Sequence, residues 1–286
     1  MNAFASLAQA IGQPFMLRAI LAGTAIAAVA GLAGYFLVLR GQVFTADALG
    51  HVAFAGAAGA LALGLDPRAG LFVATIGVGV LIGALGTKGR ADDVVIGNVL
   101  AWVLGLGVFF LAIYVTSRSA GNGGAGVTVL FGSIFGLSAE QTLTATLIAV
   151  GVILALLLIA RPLLFATVDE AVARSLGVPV RALGIVFLAL CGIATAEATQ
   201  AVGALLLLGL LAAPAGTAQR LTSRPYVAMA LSTGVAVLDM WAGLALSSAV
   251  PVLPPSFSIL AVATGVYLVV IVATSMTRRT RFAEAG

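Results

Sequence analysis

The chain has 286 residues, 62% of them hydrophobic and only 8% charged, with a formal net charge of +4 and a mean hydropathy of +1.19. Soluble domains carry roughly 25% charged residues, so this composition excludes an ordinary soluble enzyme and places the chain in a bilayer. The basic residues stand singly at the ends of apolar runs, a topology signal and not a nucleic-acid footprint.

Apolar runs of about 20 residues recur along the whole length, enough for helices to cross the hydrocarbon core. They are continuously apolar and do not alternate as barrel strands do. The sequence therefore predicts an all-α polytopic membrane protein with one transmembrane domain over residues 1–286. Nine spans fit, at roughly 15–39, 45–64, 69–87, 94–116, 140–160, 182–200, 202–219, 226–249 and 257–276. The sixth and seventh are so closely joined that the count is eight or nine.

Residues 1–14 lack a basic n-region and a small-residue cleavage site, and read as an uncleaved interfacial segment. Segment 127–138, with Phe131, Gly132 and Gly136, reads as a short helix or re-entrant piece. Asp92 and Asp93 precede the fourth span, where acidic residues suit the helix macrodipole. The small-xxx-small pairs Gly79–Gly83 and Gly132–Gly136 would let helix backbones approach closely.

Placing loop 161–181 in the cytoplasm puts Arg40, Lys88, Arg90, Arg161, Arg174, Arg181, Arg220, Arg224, Arg278, Arg279 and Arg281 inside. Only Arg18, Arg68 and Arg118 remain outside. The tail 277–286 is then cytoplasmic, and with nine spans the N-terminus lies outside. No Gly-x4-Gly-Lys-Ser/Thr loop is present. No polar segment is long enough for a catalytic domain. The chain does not read as an enzyme, and any energy source is an ion gradient or another subunit.

Asp47 and His51, the single histidine, stand four residues apart inside an oily run, so a helix projects both from one face. Ionisable groups at membrane depth are functional candidates by default. Imidazole and carboxylate together suit zinc, manganese or iron; the competing reading is a hydrogen-bonded tie between helices. Glu197 and Asp239 are the other two intramembrane ionisable residues. Glu197 reads as a charge near the outer end of the sixth span, solvated or lining a cation path. Asp239 is deeper, with no assignable role beyond a share in that path. Cys191 is the only cysteine and reads as a small buried hydrophobe.

Within loop 161–181, Asp169 to Leu176 makes a short amphipathic helix with acidic residues at its start. Gly177 stops it and Pro179 follows. Such a helix suits a groove on a partner protein, or lies on the membrane surface.

Several blocks, in order from about Ala22 to Tyr267, resemble the metal-ion (zinc, manganese and iron) permeases of ATP-binding-cassette importers. They are Leu39-Arg40 with Asp47-Ala48-Leu49-Gly50-His51, then Asp93-Val94-Val95-Ile96-Gly97 and Leu130-Phe131-Gly132-Ser133. Next come Asp169 to Pro179, Gln200 to Leu206 and Ala212 to Ala218. The resemblance implies a multi-pass permease in a prokaryotic inner membrane, homodimeric, with a path at the dimer axis. It implies two cytoplasmic ATPase subunits that bind the ATP, an extracytoplasmic metal-binding protein, and no permanently bound cofactor. Asp47 and His51 match the family's metal site. Asp169, Glu170, Ala173, Arg174, Leu176, Gly177 and Pro179 match its ATPase-coupling segment.

Two positions depart from the pattern: Ala46 stands where glycine is more usual, and Glu197 where an acid is unusual. The expected activity is import of a divalent transition metal. One His and one Asp per protomer tilt the cargo toward zinc, with manganese or iron(II) as alternatives. Chelated iron or a cobalamin-type cargo, a proton-coupled secondary carrier and a passive scaffold stay open on the residues alone.

Overall fold

Proline at the first helical turn, where its missing N–H is harmless, opens four of the long helices, at Pro14, Pro67, Pro225 and Pro255. The computed structural model describes residues 13–86, 93–117, 132–204, 207–250 and 252–283. Its helices are α1 (Pro14–Leu39), α2 (Val43–Leu63), α3 (Pro67–Leu85), α4 (Asp93–Ser117), α5 (Ala139–Val168) and α6 (Glu170–Ser175). Then follow α7 (Val180–Val202), α8 (Leu207–Leu221), α9 (Pro225–Ala249) and α10 (Pro255–Ala283). There is no strand among the described residues.

Eight of these helices are long and apolar enough to cross a membrane. The expected seventh span, 202–219, is instead α8, with 15 residues. At 1.5 Å per residue it is about 22 Å long, short of a hydrocarbon core of about 30 Å. The reason is the break at Gly203, whose φ of +92° ends α7. Ala204 follows in a turn, and Leu205 and Leu206 lie outside the described residues.

Loop 161–181 also differs from expectation. Helix α5 runs through Arg161 and Pro162 to Val168, because Leu163, Leu164 and Ala166 are buried and hold the extension down. The connection shrinks to α6 and its flanks. Likewise, the tail is helical as far as Ala283. Residues 1–12, Asp92 and 127–131 lie outside the described residues; the rest of segment 127–138 contains a single 3-10 turn, Ile134–Gly136.

Helix α1 is apolar on every side, the pattern of a central helix, and packs on α5, α8 and α9. Its polar ties come from neighbours that would otherwise bury unsatisfied groups: Ser232 Oγ donates to Gly31 O at 2.6 Å, and Gln219 Nε2 to Tyr35 O at 3.3 Å. A second group forms from α2, α3, α4 and α7. There α3 and α7 meet backbone to backbone. A Cβ at Gly79 would lie 2.6 Å from Leu188 O, and one at Gly192 2.6 Å from Thr75 O. The Gly79–Gly83 pair thus makes the close helix contact expected of it. Gly132 also approaches a backbone closely, a Cβ there lying 2.6 Å from Ala201 O at the end of α7, but from outside any helix, at φ +71°, in the segment whose Ser133 N–H caps Gln200 O at 3.1 Å.

Candidate metal site and coupling surface

Helix α2 is short of side-chain bulk and rich in alanine and glycine, so its neighbours close tightly around most of it. Ala53 and Ala57 pack with Leu71 and Ala196, Val52 and Ala55 with Val103, and Gly50 lies against Ala204 O. One stripe is left open. It runs from Phe44, 69% exposed, through the half-buried Asp47 and His51 to Phe54. Ala46, Ala48, Leu49 and Gly50 around the pair are all buried.

No hydrogen bond or ion pair engages Asp47 or His51 among the described residues. No group of three or more His, Cys, Asp or Glu converges there or elsewhere in the described chain. One protomer therefore offers two adjacent ligand side chains on one helix face. Metal sites of this chemistry take four or more donors.

The helix enters this region by a tight turn. Gly41 N–H donates to Val38 O at 3.1 Å and Gln42 N–H to Leu37 O at 2.8 Å, with Gly41 at φ +67°. That pair of bonds is the Schellman arrangement, which needs a left-handed residue after the helix. It brings α2 back into the bundle directly after Arg40. Arg40 itself, counted among the cytoplasmic loop charges, is 5% exposed.

Glu197 and Asp239 do not join the pair. Glu197 is 3% exposed and not a solvated helix-end charge; its Oε1 has no hydrogen-bond partner, and Arg68 is near enough for its charge to act on it. Its neighbour Ala196 packs on the Ala53–Ala57 face of α2, turned away from Asp47 and His51. Close by is a cavity of about 330 Å3 lined by Ala57, Arg68, Ser133, Gln141, Thr199 and Gln200. Asp239 is buried in α9, on the helix face that meets α1 through Ser232 and Ala236. Cys191 is buried and unpaired, as read.

Asp169 to Pro179 form the short helix and stop read from the sequence. Asp169 caps α6, its Oδ1 accepting from Val172 N–H at 3.0 Å, and Arg174 pairs with Glu170 at 2.6 Å. Gly177, at φ +80°, ends the helix, and Pro179 is the N-cap of α7. Ala173 is fully buried against Ala166 and Val180. It anchors α6 and leaves Leu176, 70% exposed, with Val172 on the open side.

A model of the ABC 3 transport family matches residues 12–274. The chain belongs to that family. Among its relatives is the manganese transport system membrane protein MntC of Halalkalibacterium halodurans, 27% identical over 82% of this chain and 80% of that protein. The chelated iron transport system membrane protein YfeC of Yersinia pestis is 30% identical over 76% and 72%. The fold matches PsaBC from Streptococcus pneumoniae in complex with Fab, with a TM-score of 0.80 at 24% identity. That match covers 93% of this chain and 95% of the other. The ABC 3 protein is thus a multi-pass metal-import permease, a transport subunit and not an enzyme. The secondary carrier and the scaffold fall away.

Sequence reasoning missed two features. The burial of Glu197 was hidden by its Ala and Thr neighbours, which look like a frayed helix end. The burial of Arg40 had one available signal, its place directly before a glycine and seven residues ahead of Asp47.

Proposed function

We propose that two copies of this permease form an importer for a divalent first-row metal, with manganese as the leading cargo. Asp47 and His51 from each copy would meet at the dimer axis. The observation that carries this reading is the open stripe on α2, where two metal-ligating side chains lie side by side without partners on an otherwise buried helix. A two-fold axis beside it turns two donors into four, with carboxylate oxygens able to supply more. That donor set accepts zinc, manganese or iron(II), and the manganese lead rests on the names that the relatives carry. The zinc preference read from the His-Asp pair has less support, since relatives carry manganese and chelated iron in their names.

In this account ATP is hydrolysed on separate cytoplasmic subunits docked at α6, and an extracytoplasmic binding protein delivers the metal. The C-terminus lies in the cytoplasm of a prokaryotic cell whose inner membrane holds the complex. The Asp-His pair gains nothing from a bulky chelate, so the free ion is the cargo.

The test is uptake into liposomes by the permease assembled with its ATPase subunits and binding protein, comparing Mn2+, Fe2+, Zn2+ and an iron chelate. ATP-dependent Mn2+ uptake that excess chelate leaves unaffected supports the reading. Uptake of Zn2+ alone restores the zinc assignment, and uptake of the chelate alone removes the ligand role of Asp47 and His51.

A further inference from the structure

Arg40 joins the two working parts of the chain. It lies at the end of α1, one glycine ahead of Gln42, the residue at which α2 begins. Its Nε donates to Gln42 Oε1 at 2.9 Å, and its Nη1 donates to Thr167 Oγ1 at 3.3 Å. The guanidinium also stands over the Phe187 ring of α7, 5.6 Å from the centroid, a distance at which the ring face attracts a cation. A buried guanidinium with a planar fork of donors holds several elements in fixed relation, which a lysine cannot do.

Thr167 is well prepared as the far end of this clasp. Its hydroxyl hydrogen is committed to Leu163 O, at 2.6 Å, so the oxygen presents its lone pairs to Arg40. It stands two residues before Asp169, the cap of α6. Upstream, Pro162 removes one N–H from the α5 ladder, which marks the place where the helix bends most readily. Leu163, Leu164 and Ala166 pack this stretch into the core, so the lever that bears α6 is the end of α5 moving together with the helices it packs against. At the other end of the clasp, Gln42 starts the helix that presents Asp47 and His51.

Resting on the transport reading above, we propose that Arg40 is a positioning residue that couples movement of the α6 lever to the placement of α2, through Thr167 on one side and Gln42 on the other. Two of the acceptors it reaches are the Gln42 side-chain amide and the Thr167 hydroxyl. The Thr167 bond is at the long end of the hydrogen-bond range, so it is a contact that a moving lever can break and remake. The connection is physical and contiguous, which is the minimum for a coupling route; energetic coupling must be measured.

The experiment uses the permease assembled with its ATPase subunits in liposomes, supplied with Mn2+-loaded binding protein. Metal uptake and ATP hydrolysis are measured together for wild type, Thr167→Val, Arg40→Met and Arg40→Lys. Thr167→Val keeps the side-chain shape and removes the hydroxyl, both as acceptor for Arg40 and as donor to Leu163 O within its own helix. ATP consumed per Mn2+ imported is expected to rise at least about five-fold, the lower end of ordinary coupling energies. Half-saturation by the binding protein should not move, Arg40→Met should act more strongly, and Arg40→Lys should recover part of the loss. Uptake and hydrolysis falling in parallel in Thr167→Val overturns the proposal, as does a ratio equal to wild type. If Arg40→Met fails to assemble, Thr167→Val decides alone. Wild type that imports Fe2+ or Zn2+ but no Mn2+ is compared with the variants on that ion by the same criterion, and wild type that imports none of the three removes the transport reading, and the inference with it.

Discussion

Asp47 and His51 stand one helical turn apart on α2 and share its single open stripe, while Ala48, Leu49 and Gly50 between them are buried. Most of the helix is buried, and the two side chains able to bind a metal are among the residues that are not. If the open stripe meets a second copy, residues at its edge lie close to their own symmetry mates. Phe44→Cys, in a chain whose only other cysteine is the buried Cys191, is expected to give a disulfide-linked permease dimer in membranes under mild oxidation. Cysteine at Leu158, exposed on α5, should not. SDS gels without reductant read the result.

The close approach of α3 to α7 makes a sharp stability prediction. Gly192→Ala sets a methyl group 2.6 Å from Thr75 O and is expected to destabilise the fold by about 1–3 kcal/mol, as overpacking does. Gly77→Ala, on the same α3, meets nothing within 4 Å and is expected to be neutral or slightly stabilising. Thermal unfolding in detergent separates the two.

The long helices were legible because a continuously apolar run of about 20 residues has one solution in a bilayer. Asp47 and His51 were legible for the matching reason, since two ionisable groups four apart in such a run stand out. The misreadings have a common cause in local sequence. Arg161-Pro162 looks like a stop, yet burial of Leu163, Leu164 and Ala166 carries α5 past it. The apolar run after Val202 looks like a full span, yet a left-handed Gly203 breaks the helix at its start. Arg40 looks like a loop charge, because nothing local shows that Thr167, 127 residues later, lies beside it.

Helix α6 presents Leu176 outward and Ala173 inward, so two substitutions there should fail differently. Leu176→Glu is expected to leave the permease folded while weakening its hold on the ATPase subunits at least about ten-fold, as loss of an apolar anchor does. Ala173→Asp buries a charge against Ala166 and Val180 and is expected to lower the yield of folded permease. Co-purification and size-exclusion profiles distinguish the outcomes. The Glu170–Arg174 pair is partly exposed, so Glu170→Gln is expected to change stability little.

Glu197 holds a carboxylate whose Oε1 is buried without a hydrogen-bond partner, and it forms no cluster with Asp47 and His51. Glu197→Gln keeps the shape and removes the charge. Its melting temperature is expected to equal or exceed that of wild type, since an unpaired buried charge is unfavourable. Metal uptake should stay within about two-fold of wild type, as for sites that do not share partners. Asp239→Asn is expected to behave alike. A large loss of uptake with either folded variant would place that residue in the cation path.

The central claim is that the pair on α2 binds the transported ion. ATP-driven Mn2+ uptake by the assembled importer, measured for wild type, Asp47→Ala and His51→Ala at matched amounts of folded permease, tests it most directly. Both variants are expected to fall below about a tenth of wild-type uptake, the scale on which changes at a metal site act. Uptake at the wild-type level by both would contradict the account.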